Sequence, residues 1–210
     1  SLIWYPAEID VSIRPGWFYK AGDDDLVKSP QKLVDIYFNS VGLNGVLLLN
    51  IPPDKRGLIH ENDVKNLHGM RYILDEIFKD NFAATAKVRA TNEVPGFEAK
   101  TILDNDMETY WTTDKSISNA SIEIQLTRGR IFNCIMLQEN ILKGQRIEKF
   151  HLDYWDGQLW QTFAKATTIG YKRLLKFPEV YADRVKLVIE QCRTNPTIAS
   201  FGLYISPPEI

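Results

Sequence analysis

The spacing of apolar positions changes near residues 81–86, and that change divides the chain. Before it, Leu33, Ile36, Tyr37 and Val41 recur at helical spacing behind Ser29-Pro30, an N-cap followed by proline at the first helical position, and Gly42 supplies a stop. They predict a helix with one buried stripe. The apolar run from Val46 to Ile51 follows directly and is ended by Pro52-Pro53, the pattern of a strand buried on both faces, with Asn50 at its C-terminal end. A second helix is predicted from about Glu61. It has Val64, Leu67, Met70, Ile73, Leu74 and Ile77 on its apolar face, and Glu61 and Asp63 in the first turn, where the helix dipole favours acids.

Beyond residue 86 the pattern predicts no helix, and short alternating segments separated by turn residues take over. Ser121-Ile-Glu-Ile-Gln-Leu alternates cleanly. Residues 150–155 and 158–163 read as a hairpin joined by the two residues Asp156-Gly157, and 185–190 and 200–205 complete an antiparallel sandwich of about seven or eight strands. The order loop, helix, buried strand, helix in the first part matches the closing quarter of a parallel (β/α)8 barrel, which needs eight such units in roughly 250 residues. The expected fold class is therefore α/β plus all-β: the C-terminal part of a barrel over residues 1–80, then a β-sandwich over 81–210. On this reading the chain is the C-terminal piece of a longer protein.

Composition narrows the partners. A formal charge of −2 and a pI near 6.0 give no general attraction to nucleic acid or to an anionic membrane, and there is no run of about 18 apolar residues to span one. The first residue is Ser rather than Met and no charged-then-apolar leader follows, so a removed signal or a larger missing N-terminal part is expected. Cys134 and Cys192 lack metal-ligand spacing and are expected as free thiols. Asp23-Asp24-Asp25 reads as a solvated acidic run. His60 and His68 read as surface or capping residues.

The densest chemistry lies in the opening stretch from Trp4 to Tyr19, Trp-Tyr-Pro-Ala-Glu-Ile-Asp-Val-Ser-Ile-Arg-Pro-Gly-Trp-Phe-Tyr. Two prolines stiffen it as a loop, aromatic faces suit stacking on a pyranose, and Glu8, Asp10 and Arg14 offer hydrogen bonds and protons. Trp4 and Trp17 read equally as core plugs or as stacking residues. Arg14 reads as an ion-pair partner holding the loop or as a donor to the sugar.

Trp4-x-Pro-x-Glu8-x-Asp10-x-Ser-Ile-Arg14-Pro-Gly-Trp17-Phe-Tyr resembles the signature loop of glycoside hydrolase family 29, the α-L-fucosidases, and most of all the subgroup acting on branched α-1,3/1,4-linked fucose. The resemblance continues through Val27-Lys-Ser, Ser40-Val-Gly-x-Asn44 and Leu47-Leu-Leu-Asn-Ile-Pro-Pro-Asp54 to Gly57-Leu-Ile. Where the family pattern has His after Trp-Phe-Tyr, this chain has Lys20. The second part resembles the discoidin or coagulation-factor type C sandwich, also used as a carbohydrate-binding module, through Ala99-x-x-Ile-Leu-Asp104-Asn-Asp106-x-x-Thr109-Tyr-Trp111 and the Asp-Gly hairpin.

The resemblance implies a retaining hydrolysis by two carboxyls, with Glu8 as acid/base and Trp4, Trp17, Arg14 and Asp10 touching substrate. It places the nucleophilic aspartate outside these residues, so the chain alone is expected to be inactive. It implies no required cofactor, a fucosylated oligosaccharide or glycoconjugate and the missing barrel segment as partners, and a periplasmic or extracellular location. Asp104, Asp106 and Thr109 are candidate ligands for a structural calcium ion. The C-terminal glutamate that usually completes the site is replaced near Ser200 and Phe201, so an empty site with the two aspartates as turn formers is favoured. Trp111, Trp155 and Trp160 read as core and edge packing. A stand-alone carbohydrate-binding module and a purely structural sandwich are the rival readings.

Overall fold

The computed structural model describes residues 3–207 and divides into two compact units, one of residues 6–79 with 206–207, the other of 3–5 with 80–205. The first unit is a short α/β segment. Strand β1 (Glu8–Ser12) pairs in parallel with β2 (Val46–Asn50), Glu8 opposite Val46 and Ser12 opposite Asn50. Between them runs helix α1 (Pro30–Asn39), its first turn capped by the Ser29 hydroxyl accepting from Lys32 N–H at 3.2 Å. Asn44, at φ 68°, turns the chain after α1 into β2. Helix α2 (Glu61–Phe78) follows, and its N-cap is His60, whose ring accepts the Asn62 N–H.

Two expectations change in this unit. Residues 8–12, read as part of a stiff loop, form a strand, because Ile9 and Val11 alternate with Glu8, Asp10 and Ser12 and so suit a pleat with two different faces. The strand at 46–50 is not buried on both faces, since Val46 and Leu48 are 42% and 50% exposed. With β1 as its sole strand partner among the described residues, half of an apolar strand stays uncovered.

The second unit is antiparallel, and eight of its strands lie among the described residues. Two of them are long, β5 (Ala120–Gln138) and β8 (Arg173–Cys192). Their first pairing zone, Ala120–Gln125 against Arg184–Ile189, is flanked by β3 (Lys87–Ala90) on β5 and by β6 (Ile147–Trp155) then β7 (Trp160–Ala166) on β8. The second zone is flanked by β10 (Ser200–Tyr204) on β5, while β4 (Trp111–Thr112) and β9 (Thr197–Ile198) pair separately. Register shifts after Gln125 and Phe132 let one strand serve both zones, where the sequence pattern suggested only short segments. Ile122, Ile124, Leu126, Phe132, Ile135, Phe150, Leu187 and Phe201 form one buried cluster. The hairpin between β6 and β7 has four linking residues instead of two, because the Asp156 carboxylate accepts the Gln158 and Leu159 amides and closes a wider turn.

Candidate functional site

The C-terminal ends of β1 and β2 meet a dense set of polar contacts. Asn50 Nδ2 donates to Ser12 Oγ and to the Trp17 carbonyl, both at 3.0 Å, which ties the loop after β1 to the end of β2. Lys28 Nζ donates to the carbonyls of Ser12 and Arg14 at 2.6 and 3.2 Å. Arg14 is wholly buried. Its Nε lies 3.0 Å from Asp63 Oδ2, its Nη1 lies 2.9 Å from Asp24, and its guanidinium stands 4.8 Å from the Tyr19 ring centroid. Asn62 and Asn66 of α2 donate to the carbonyls of Asp24 and Lys28, so the helix is fastened along the loop. Held by these bonds, the loop presents Trp17, half exposed at 49%, beside Phe18. A cavity of about 270 Å³ follows, lined by Tyr19, Asp54, Arg56, His60 and Glu61, where Arg56 bridges Asp54 and Glu61 at 2.6 and 2.8 Å. The paired guanidinium holds the Asp54 carboxyl below the usual carboxylate range.

The structure places each residue singled out in the sequence. Glu8 opens β1, four residues before Ser12 and so about 13 Å from the strand's C-terminal end. Parallel barrels build their active sites at the C-terminal ends of the strands, where catalytic groups converge, and Glu8 stands at the other end of β1. Asp10 lies midway along the same face, also exposed. Arg14 has no exposed atom to offer a sugar and instead positions the loop, since its charge is balanced by Asp63 and Asp24. Trp4 belongs with the second unit, where its ring centroid lies 5.4 Å from that of Tyr171. Asp24, read as part of a solvated run, is half-buried and accepts from Arg14 and Tyr19. The signal that could have found Asp63 and Asp24 was a buried-looking arginine between Ile13 and Pro15 that needed acids.

In the sandwich, Asp104, Asp106 and Thr109 form a turn. Asp104 accepts the Asp106 amide at 2.9 Å and the Thr109 hydroxyl at 2.8 Å, while Asp106 accepts the Glu108 amide at 2.9 Å. A hard cation wants six to eight oxygens, and here these side chains serve as turn formers. Among the described residues no group of three or more His, Cys, Asp or Glu could hold a metal. Trp111 is fully buried, donating to the Asn92 carbonyl. Trp155 and Trp160 meet edge to face at 5.4 Å, and Arg184 sits over both rings. The two cysteines are free, and burial pushes Cys134 up to about 12 and Cys192 up to about 11, which leaves neither as a reactive thiolate near neutrality.

A second cavity, of about 440 Å³, opens in this unit with a tilted aromatic pair on its wall, Phe97 and Tyr110 at 4.8 Å. Lys143, Arg146, Asn195 and Thr197 also line it. Glu139, wholly buried, fixes the arm that carries two of them. One carboxylate oxygen accepts the Arg146 and Ile147 amides at 2.8 and 3.0 Å, and the other accepts the Gly170 amide at 2.6 Å. Burial pushes the Glu139 carboxyl up to about 7, against the opposing pull of these three N–H groups. Sequence reading missed this cavity because its walls come from four separated segments.

Comparison with known proteins follows the same division. Residues 4–76 match the Alpha-L-fucosidase family and residues 85–202 match the F5/8 type C domain family. Alpha-L-fucosidase 1 of Arabidopsis thaliana is 38% identical over 210 residues, covering 96% of this chain and 41% of that protein. The Ruminococcus gnavus GH29 fucosidase in complex with fucose is 30% identical with a TM-score of 0.90, covering 97% of this chain and 42% of that one. The family 32 carbohydrate-binding module of C. perfringens NanJ, solved with galactose, shares the fold alone, at 18% identity and a TM-score of 0.53 over 59% of this chain and 96% of its own. The chain thus spans about two fifths of the length of the fucosidases it matches. It joins a segment homologous to the C-terminal region of glycoside hydrolase family 29 α-L-fucosidases to a domain that belongs to the F5/8 type C family.

Proposed function

We propose that this chain is the C-terminal part of a retaining exo-α-L-fucosidase that removes terminal α-linked fucose, of the α-1,3/1,4-acting kind, from glycans in the periplasm or outside the cell. The observation that carries the reading is the meeting of Ser12, Asn50 and the exposed Trp17 at the C-terminal ends of two parallel strands, in a segment homologous to fucosidases. Trp17 supplies an aromatic face for the sugar, and Arg14 and Lys28 hold it in place. Both catalytic carboxyls come from the part of the enzyme outside these residues, since Glu8 stands at the wrong end of its strand. The isolated chain therefore turns over no aryl α-fucoside. In the complete enzyme Glu8→Gln keeps kcat within about tenfold, a range acid/base removal exceeds, and azide gives no rescue, whereas Trp17→Ala raises KM. A hundredfold loss of kcat on Glu8→Gln, restored by azide, would return Glu8 to the acid/base role.

A second reading concerns the F5/8 type C domain. Its cavity beside Phe97 and Tyr110 combines an aromatic wall with convergent polar groups, which is the make-up of a carbohydrate site. On this reading the domain binds sugar while the barrel cuts it. Chemical-shift changes confined to this cavity on adding glycosides test it.

A further inference from the structure

The charge of the sandwich cavity specifies what kind of sugar it takes. We propose that it binds an acidic sugar, one bearing a carboxylate or a sulfate, with the anion among Lys115, Lys143 and Arg146 and the ring against Tyr110. The proposal rests on the reading of this cavity as a sugar site.

Three cations line one cavity of about 440 Å³, and Asp114 is the one carboxylate among its lining residues. None of the three cations forms a salt bridge among the described residues, although Arg146 lies within the field of buried Glu139. Other basic groups of the same unit do, such as Arg184 with Glu123, Lys149 with Glu190 and Arg193 with Glu148. Asp114 Oδ2 accepts from Asn92 Nδ2 at 2.9 Å, so the carboxylate is engaged at the rim. Like charges gathered in a concave site raise the local potential and draw an anion to it.

The cations differ in stiffness. Arg146 is fixed in orientation, with Nε on the Lys143 carbonyl at 3.1 Å and Nη1 on the Asn195 carbonyl and Oδ1 at 2.9 and 3.0 Å. Its Nη2 has no partner among the described residues, which leaves a pre-oriented donor for a carboxylate or sulfate oxygen. Lys143 Nζ stands 6.0 Å from the Tyr110 ring centroid, close enough to reach a charged substituent on a sugar stacked there. Thr197 lines the same cavity, is 1% exposed, and its Oγ1 is buried without a hydrogen-bond partner among the described residues. Buried hydroxyls are almost always bonded, so this one marks a place where a ligand hydroxyl belongs. A neutral sugar would satisfy the ring and Thr197 but leave Lys115 and Lys143 unmatched.

Titration of the 210-residue chain with methyl glucuronide, galactose 6-sulfate, methyl galactoside and methyl α-L-fucoside, followed by NMR, tests the proposal. We expect one or both charged sugars to bind at least about tenfold more tightly than the neutral pair, with the advantage shrinking as salt rises. Preference between uronide and sulfate then names the anion. Lys115→Gln with Lys143→Gln changes two exposed side chains and removes the preference without unfolding the domain. Equal or tighter binding of the neutral sugars overturns the acidic preference and leaves the sugar-site reading standing. Binding of none of the four overturns both.

Discussion

The two units handle charge and apolar surface in opposite ways. The sandwich buries a continuous core of its own and uses Glu139, the most deeply buried acid among its described residues, to satisfy backbone amides. The α/β unit instead spends its buried charge on a side-chain pair, Arg14 with Asp63, and leaves Val46 and Leu48 uncovered. A sheet of two parallel strands cannot cover both of its faces, whereas antiparallel strands that fold over one another can. The sandwich is thus organised as a domain and the α/β unit as part of something larger.

The largest test of this contrast is separation. Residues 80–207 expressed alone should unfold cooperatively in urea, whereas residues 6–79 alone should show no cooperative transition. A cooperative transition in the smaller piece would break the comparison. Next in size is the buried pair: Asp63→Ala strands the Arg14 cation, and removing one partner of a buried pair costs about 3–5 kcal/mol. Urea denaturation read at Trp17 should detect that loss, and a change below about 1 kcal/mol, the level of an exposed pair, would show that Asp24 alone suffices.

A third test uses pH on the other unit. Glu139 titrates near 7 folded against 4.5 for an ordinary glutamate, so the folded state holds this proton more tightly. Its contribution is fully present below pH 4.5 and is lost as pH rises toward 7, by about 3 kcal/mol in all. Stability of the 210-residue chain should fall across that window, and Glu139→Gln should flatten the fall. An identical pH profile for the variant would remove Glu139 as the source. The smallest effect concerns Asp104 and Asp106, where millimolar calcium should leave the melting temperature of the sandwich unchanged, and a rise of several degrees would restore the cation site.

Helix α1 was legible because its signals are local: Ser29 caps three residues on, Pro30 fits the first turn, and the apolar stripe repeats within the helix. Strand β2 was placed for the same reason, and the alternation at Ile122, Ile124 and Leu126 marked the core face of β5. The site was harder. Asp63 lies 49 residues from Arg14, and Gly170 lies 31 from Glu139, distances over which spacing carries no information. The Asp-Gly hairpin was recognised but its length was not, since the Asp156 side chain chose a wider turn.

Sequence alone therefore determined both helices, strand β2 and where the pattern changes, because these follow from neighbours within a turn or a pleat. Tertiary structure decided where each residue of the opening stretch from Trp4 to Tyr19 stands. It placed Glu8 at the starting end of a strand, sent Trp4 to the sandwich and enclosed Arg14 between two acids. It also gathered Lys115, Lys143 and Arg146 around one cavity. Polarity of a strand relative to its site, and the pairing of charges far apart in sequence, exist only once the chain has closed on itself.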